Sequence, residues 1–263
     1  MLGDGWDAAA PVLRKRRGPF TAAALPPLAP VWRPVLAEPP AASQTHARTS
    51  PLDALLPRLD AEADQATLAL ADDDLRPYAW AGWTVTPRST YRLHLSEDVE
   101  AGFSSGVRRT IRKEAGAFDV VEDGALTAEA VELMVASYRR GGEPLGLDER
   151  AVAGLAGAFV AAGLARTFAA RRGGQTEAAV VAAHDGRTAF YWIAGSAPGP
   201  AMTVLLARTL HQLQADGIAA FDFCGANTPS IAEFKRRFGP TLAPAPIARR
   251  VSHPALRLID RLR

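Results

Sequence analysis

The chain has 263 residues, of which 48% are hydrophobic and 22% charged, with a formal net charge of +2 and one cysteine, Cys224. That length and composition suit a globular chain with a sizeable core. The lone cysteine excludes an internal disulfide framework, and the near-neutral balance confines any electropositive surface to local patches. No window approaches the ~18 unbroken apolar residues of a membrane span. Asp4 and Asp7 precede the first cations, the wrong order for a signal peptide. The expectation is a soluble, cytoplasmic protein without stable membrane insertion.

Residues 1–50 carry many of the prolines, in PFTAAALPPLAPVWRPVLAEPPAAS, and read as extended segments and loop. SPLDALLPRLDA (50–61) offers Ser50 as a cap and Pro51 at the first position of a helix. ATLALAD (66–72) is a short strand, and WAGWTVTPRSTYRLHLS gives two strands broken near Pro87. VEAGFSSGVRRTIRKEAG (99–116) is helical in its second half, and FDVVED is a strand. LTAEAVELMVASYRR places Val131, Met134, Val135 and Tyr138 at helical spacing. DERAVAGLAGAFVAAG is a second amphipathic helix ending at Gly163.

Three strand-like runs follow, LARTFAAR, EAAVVAAHD and TAFYWIAGS, joined at Gly173-Gly174 and Asp185-Gly186. Both junctions are tight-hairpin signals. PAMTVLLARTLHQLQADG is a helix with Pro200 inside its start and Gly217 at its end. IAAFDFCG reads as a buried strand, PSIAEFKRRFG as a short helix and APIARRVS as a last strand. The order predicts an α/β (α+β) fold, with a mixed, mostly antiparallel central sheet flanked by helices. Two domains are expected: a reduced, proline-rich segment over 1–86 and the sheet domain over 87–263. No glycine-rich dinucleotide fingerprint follows a first strand.

The densest chemistry lies in FDFCGANTPSIAEFKRRFGPTLAP, residues 221–244. Asp222 points to the strand face opposite Phe221 and Phe223. It either holds a polar substrate group, or caps the next loop and pairs with an arginine. Asn227 reads first as a cap of the following helix and second as a substrate contact. Lys235 follows Phe234 directly, so an aromatic side chain and an ammonium leave the helix on adjacent sides. Arg236 and Arg237 are explained by the helix dipole alone.

Arg108, Arg109, Arg112 and Lys113 form like-charged i,i+4 pairs, which an anionic partner would relieve; the other reading is a solvated helix face. Tyr138-Arg139-Arg140 closes a helix, where cations are favoured in any case. The loop Gly195 to Pro200 precedes a helix with no acid in its first turn; it is either an anion site to which Thr203 adds a hydroxyl, or simply the entry to the helix. The five histidines have no metal-ligand spacing, so no metal is expected. No GxSxG occurs, and Cys224 reads as a packed strand residue.

TYRLHLS…FSSGVRRTIRKEAGAFDV, SYRRGGEPLGL and the 221–244 segment together resemble Fem-type members of the GNAT superfamily of N-acetyltransferases. The D-F-x-G…F-K-x-x-F-G pattern is the most specific part. The resemblance implies a GNAT-like domain preceded by a shortened N-terminal GNAT-like remnant. It implies transfer of an acetyl or aminoacyl group from acyl-CoA or aminoacyl-tRNA to an amine, with a peptidoglycan precursor as acceptor in the Fem branch. On this resemblance Lys235 stabilises charge on the reacting carbonyl; the mechanism expected beside it has Asp222 and Asn227 orient the acceptor, with Asp222 or a water taking the proton. Arg139 or Arg140 matches the family's arginine, which meets an acceptor phosphate. The reading of the residues themselves adds Phe234, Asn227 and Tyr138 as acceptor contacts, and Gly195, Ser196, Gly199, Thr203, Arg108 and Arg112 as donor contacts. The pyrophosphate loop Q/R-x-x-G-x-G/A of ordinary acetyltransferases is missing before residue 203. The rival expectation is a non-catalytic, anion- or RNA-binding module using the Arg108–Lys113 helix.

Overall fold

The computed structural model describes residues 8–9, 11–25, 28–29, 35–36, 49–71, 74–95, 98–142 and 147–261. The chain divides into two compact units, one formed by Met1–Ser89 with Pro244–Arg263 and the other by Thr90–Ala243.

In the first unit, β1 (Ala8–Ala9) pairs with β4 (Val35–Leu36). A five-stranded sheet runs β2 (Leu13–Arg17), β3 (Phe20–Ala24), β5 (Gln65–Ala69), β14 (Ile247–Val251), β6 (Thr84–Thr86). The helix α1 (Thr49–Glu62) supplies Leu52, Leu56 and Leu59 to a core completed by Leu68, Leu70, Tyr78, Trp83 and Ala248. The β2–β3 hairpin lies within the stretch expected to be extended segments and loop. Its strand LRKRR is an edge without apolar alternation, so periodicity could not reveal it. Two short helices, α2 (Arg76–Trp80) and α8 (Pro254–Arg261), were also not signalled. The strand APIARRVS forms, but as β14 it sits between β5 and β6 in this sheet rather than beside the strands of the second unit.

The second unit is built on a seven-stranded sheet. Its strands are β7 (Ser89–His94), β8 (Asp119–Glu122), β9 (Ala165–Arg172), β10 (Gln175–His184), β11 (Thr188–Ser196), β12 (Ala220–Asp222) and β13 (Thr241–Pro244). The spatial order is β13-β7-β12-β11-β10-β9-β8. The β8–β9, β9–β10, β10–β11 and β12–β7 pairs are antiparallel, and β11–β12 is parallel. The helices are α3 (Ser105–Lys113), α4 (Thr127–Arg140), α5 (Glu149–Ala161), α6 (Ala201–Ala215) and α7 (Pro229–Arg236). The architecture is the mixed, mostly antiparallel sheet with flanking helices expected from the sequence.

Central β10 reads AAVVAA without alternation because it is buried on both faces. Ala178, Val180 and Ala182 join the core under α6, and Ala179 and Val181 are equally buried on the other side. Helix α4 packs on β10 and β11, and Gly195 allows the approach. A Cβ there would come within 2.1 Å of the Leu133 carbonyl carbon and the Met134 nitrogen. On the α6 side Phe221, Phe223, Phe238 and Phe103 are essentially inaccessible; Phe221–Phe223 and Phe103–Phe238 meet edge to face, with centroids 5.0 and 5.3 Å apart. Arg166 ties β9 to β8 and to the end of α6, donating to Glu122 at 2.6 and 2.8 Å and to Asp216 at 2.6 Å.

Two substitutions check this packing by urea unfolding. Phe221→Ala should lower stability by about 3–5 kcal/mol through the cavity it leaves. Gly195→Ala should cost about 1–3 kcal/mol, because α4 must move off β11. A Gly195→Ala protein as stable as the parent would contradict the close approach.

Candidate active site

Strands β11 and β12 are hydrogen-bonded neighbours over only three residue pairs, Thr188↔Ala220, Ala189↔Phe221 and Phe190↔Asp222. Beyond them β12 ends, while β11 continues to Ser196. The parallel pairing therefore stops at Phe190; the Tyr191 main chain still bonds the Cys224 side chain, and beyond it β11 has no strand neighbour on this edge. The β10–β11 register steps from Val181↔Ile193 to Ala182↔Tyr191, leaving Trp192 as the extra residue of a bulge at the split. Trp192 stacks on Phe159 of α5 at 5.0 Å.

The chain leaves β12 through a corner that its own charges hold. Cys224 adopts φ +54° and Gly225 φ +108°, the first of which is uncommon for a residue with a side chain. Asp222 Oδ1 accepts from Thr90 Oγ1 at 2.5 Å and from the Cys224 amide at 2.8 Å. Thr90 Oγ1 in turn accepts from the Gly225 amide at 2.9 Å. From the other side Lys235 Nζ donates to the carbonyls of Phe223 at 2.6 Å and Gly225 at 2.9 Å. The ammonium also lies over the Tyr191 ring, 5.4 Å from its centroid. Asp222 and Lys235 are both buried.

Burial pulls the Lys235 ammonium below the ordinary lysine range, opposed by the neighbouring Cys224 and Asp222. Cys224 as a whole is half-buried, but its thiol is enclosed; burial and then the charge of Asp222 push it well above an ordinary thiol, so it stays protonated. Burial likewise raises the Tyr191 phenol, whose hydroxyl donates to Met202 Sδ at 3.4 Å in the first turn of α6.

Helix α7 brings Lys235 to the corner. Its N-cap is Thr228, without a side-chain capping bond, and Pro229 opens the first turn. Asn227, expected as the cap, is an exposed residue one position earlier. Phe234 packs edge-on against Phe238 at 5.5 Å and is partly buried. Arg236 and Arg237 turn away and pair with Glu233 at 2.8 and 3.3 Å.

The other expected residues divide between the split and other duties. Gly195 is filled by the α4 backbone, and Ser196 is stitched to that helix. The Ser196 amide donates to Ser137 Oγ at 3.2 Å, and its carbonyl accepts from Ser137 and Arg140. Arg139 pairs with Glu149 at 2.8 Å. Tyr138, at the end of α4, is two-fifths exposed and close enough to Tyr191 to perturb it electrostatically.

Gly199 is exposed with φ +139°. Helix α6 then begins with no acid in its first turn. The Thr203 and Val204 amides both turn back to the Pro200 carbonyl. Arg108 donates to the Phe103 carbonyl, and Arg112 is exposed. Glu100, just before α3, binds His211 at 2.9 Å, about 12 Å along α6 from Thr203. The base of α3 therefore adjoins the opposite end of α6 from the expected donor loop. Among the described residues no group of His, Cys, Asp and Glu side chains could hold a metal ion.

Sequence reasoning passed over Thr90, Arg92 and Tyr191. Thr90 and Arg92 are two apart in TYRLH and so share a face, but only the pairing Asp222↔Arg92 brings that face to the corner.

The profile of the acetyltransferase (GNAT) domain family matches residues 101–236. No curated protein matches the chain. Among solved structures, FemX is similar with a TM-score of 0.72 and 14% identity, over 97% of this chain and 91% of that one. L-PGS from Bacillus licheniformis has a TM-score of 0.59 at 12% identity, over 96% of this chain and 84% of its own. A tandem GNAT protein from the clavulanic acid biosynthesis pathway has a TM-score of 0.54 at 14% identity, over 94% and 84%. With these likenesses in fold and the profile spanning half its length, the chain belongs to the acetyltransferase (GNAT) domain family.

Proposed function

We propose that the protein is an N-acyltransferase in which an amine attacks the donor carbonyl directly, within a ternary complex of enzyme, donor and acceptor. The observation that carries this reading is the parting of β11 and β12 beside a buried ammonium. An acyl chain laid along the open edge of β11 meets backbone groups without a strand partner, and Lys235 waits at the end of the wedge. Two of the lysine's three hydrogens are held by the Phe223 and Gly225 carbonyls. The third is the one available to the oxygen of the tetrahedral intermediate. A fixed cation in a water-poor site favours that developing charge far more than it would in water.

The bond changes are simple. The amine nitrogen bonds to the acyl carbon and the carbonyl oxygen takes up charge; as the C=O re-forms, the bond to the carrier's sulfur or oxygen breaks and the carrier leaves as thiolate or alkoxide, protonated by water. The proton shed by the amine goes to Asp222 Oδ2, the oxygen reached only by long contacts from Arg92, or to a water beside it. The protonated, enclosed Cys224 thiol supports direct transfer over a covalent relay.

Acyl-CoA is the donor we favour, because the acid-free start of α6 is suited to a phosphate group and the matching family is an acetyltransferase domain. Aminoacyl-tRNA remains the other donor that the Fem-type resemblance suggests, with a peptidoglycan precursor or related small molecule as acceptor. Tyr138 and Asn227 flank the route to the corner on this reading. Residues 1–86 are read as the reduced remnant of a second GNAT-like domain. No helix among the described residues is long and apolar enough to cross a membrane; we place the protein in the cytoplasm, where both donors occur.

Calorimetric titration with coenzyme A tests the donor: saturable heat supports it. No heat, together with RNA binding that weakens steeply with salt, would favour a binding module instead. Lys235→Met should cut turnover by about 10²–10³-fold, the loss of one oxyanion donor, in samples shown by circular dichroism to be folded. It should also lower stability, because two buried carbonyls lose their donor. In the parent, activity should decline on the alkaline side below the ordinary lysine value, since the ammonium is lost as pH rises through its lowered pKa. After incubation with acetyl-CoA alone, intact-mass measurement should find no acyl adduct on Cys224; an adduct would establish a covalent relay.

A further inference from the structure

Arg92 stands on the same strand face as Asp222 and Thr90, directly opposite Asp222 in the β7–β12 register. Its main chain is fixed on both sides, by β12 and by Thr241 Oγ1, which donates to the Arg92 carbonyl at 3.0 Å. Its guanidinium is held loosely. It reaches Asp222 Oδ2 only at 3.3 and 3.4 Å, whereas Arg166 meets Glu122 at 2.6 and 2.8 Å. Half of the side chain is exposed, 51%, against 5% for Asp222.

Arg139 is engaged by Glu149, and Arg140 by Ser137 and the Ser196 carbonyl. Among the described residues Arg92 is the guanidinium bonded to the corner, through Nε and Nη2, and its Nη1 edge is turned from the carboxylate. The corner also carries a charge imbalance. Lys235 and Arg92 supply two cations against the single carboxylate of Asp222, while the Cys224 thiol and Tyr191 phenol stay protonated. An arginine with a free donor edge beside a net positive cluster fits a planar or tetrahedral oxyanion.

We propose that Arg92 is a specificity-determining residue that selects amine acceptors carrying an anionic group, a carboxylate or a phosphate. Asp222, held by Thr90 and the Cys224 amide, serves as the buried support that aims the guanidinium outward. The inference rests on the acyltransferase reading for the bound anion being part of an acceptor, and on the placement of Arg92 and the charges around it for the anion site.

The test has a binding arm and a turnover arm. In the first, the Arg92 Nε–Hε resonance, assigned by its absence in Arg92→Gln, is followed while inorganic phosphate or acetate is added to the full chain. A saturable shift with one of them is expected and identifies which anion fits; a resonance unmoved by both overturns the proposal. In the second, acetyl transfer from acetyl-CoA is compared for β-alanine against propylamine and for phosphoethanolamine against ethanolamine. The parent should prefer the anionic member of at least one pair, and Arg92→Gln should reduce that preference by about tenfold, with Arg92→Lys between them. A purely structural role would slow both members equally and leave the ratio intact, which would overturn the proposal. Anion binding at Arg92 with no acetyl transfer to any amine would refute the acetyl donor while leaving the anion site standing.

Discussion

The corner at Phe223–Gly225 is the constraint on which the rest of the second unit depends. A chain leaving a central strand through a positive φ at a side-chain-bearing residue is strained by about 1–3 kcal/mol, and its carbonyls and amides turn away from the ladder. Asp222 collects the amide side of that turn, partly through Thr90, and Lys235 collects the carbonyl side. Each charge would be costly to bury alone, since desolvation takes several kcal/mol from an isolated ion. Together they satisfy the same backbone from opposite sides, so neither is dispensable while the other remains. The corner then fixes three things at once: β12 stops after Asp222, α7 must pack where Lys235 can reach inward, and β11 loses its neighbour.

A strand that loses its neighbour would normally fray, and here the opposite face prevents it. Gly195 lets α4 lie against the β11 backbone, and Ser137 and Arg140 bind the main chain of Ser196. The open edge is therefore backed by a helix in place of a strand. The same glycine read from sequence suggested a phosphate loop, because a glycine before a helix serves close backbone approach of either kind.

This is why the sequence was legible in elements and much less so in contacts. Most strands and helices from residue 89 to 239 follow from periodicity, caps and the tight turns at Gly173-Gly174 and Asp185-Gly186. The hairpin LRKRRGPFTAAA did not, since its exposed edge strand is basic and its inner strand is alanine-rich. The destination of APIARRVS was equally hidden, because a strand's pattern states which face is apolar and never which sheet receives it. At the site, Asp222 and Lys235 stood out as charges among aromatics. Their partners did not: Thr90 and Arg92 lie 130 residues or more away and join them only through β7–β12 register. Burial turned Lys235 from one cation in a basic run into a group distinct from Arg236 and Arg237, which pair with Glu233 at the surface.

The charge count around the corner connects structure to catalysis on the proposed reading. Two cations and one carboxylate leave an excess positive charge in the resting site. A neutral donor carbonyl does not discharge it, whereas the tetrahedral oxyanion does, and stabilisation that appears only as the reaction proceeds is the kind that raises turnover. An anionic acceptor bound directly at Lys235 would cancel this advantage by neutralising the lysine in the ground state. Separation of the two cations resolves the conflict. Lys235 is buried and tethered by two carbonyls of the corner, whereas Arg92 is half exposed and pairs with the Asp222 carboxylate. The outer cation can then bind the acceptor's charge while the inner one keeps its own for the oxygen that acquires charge during transfer.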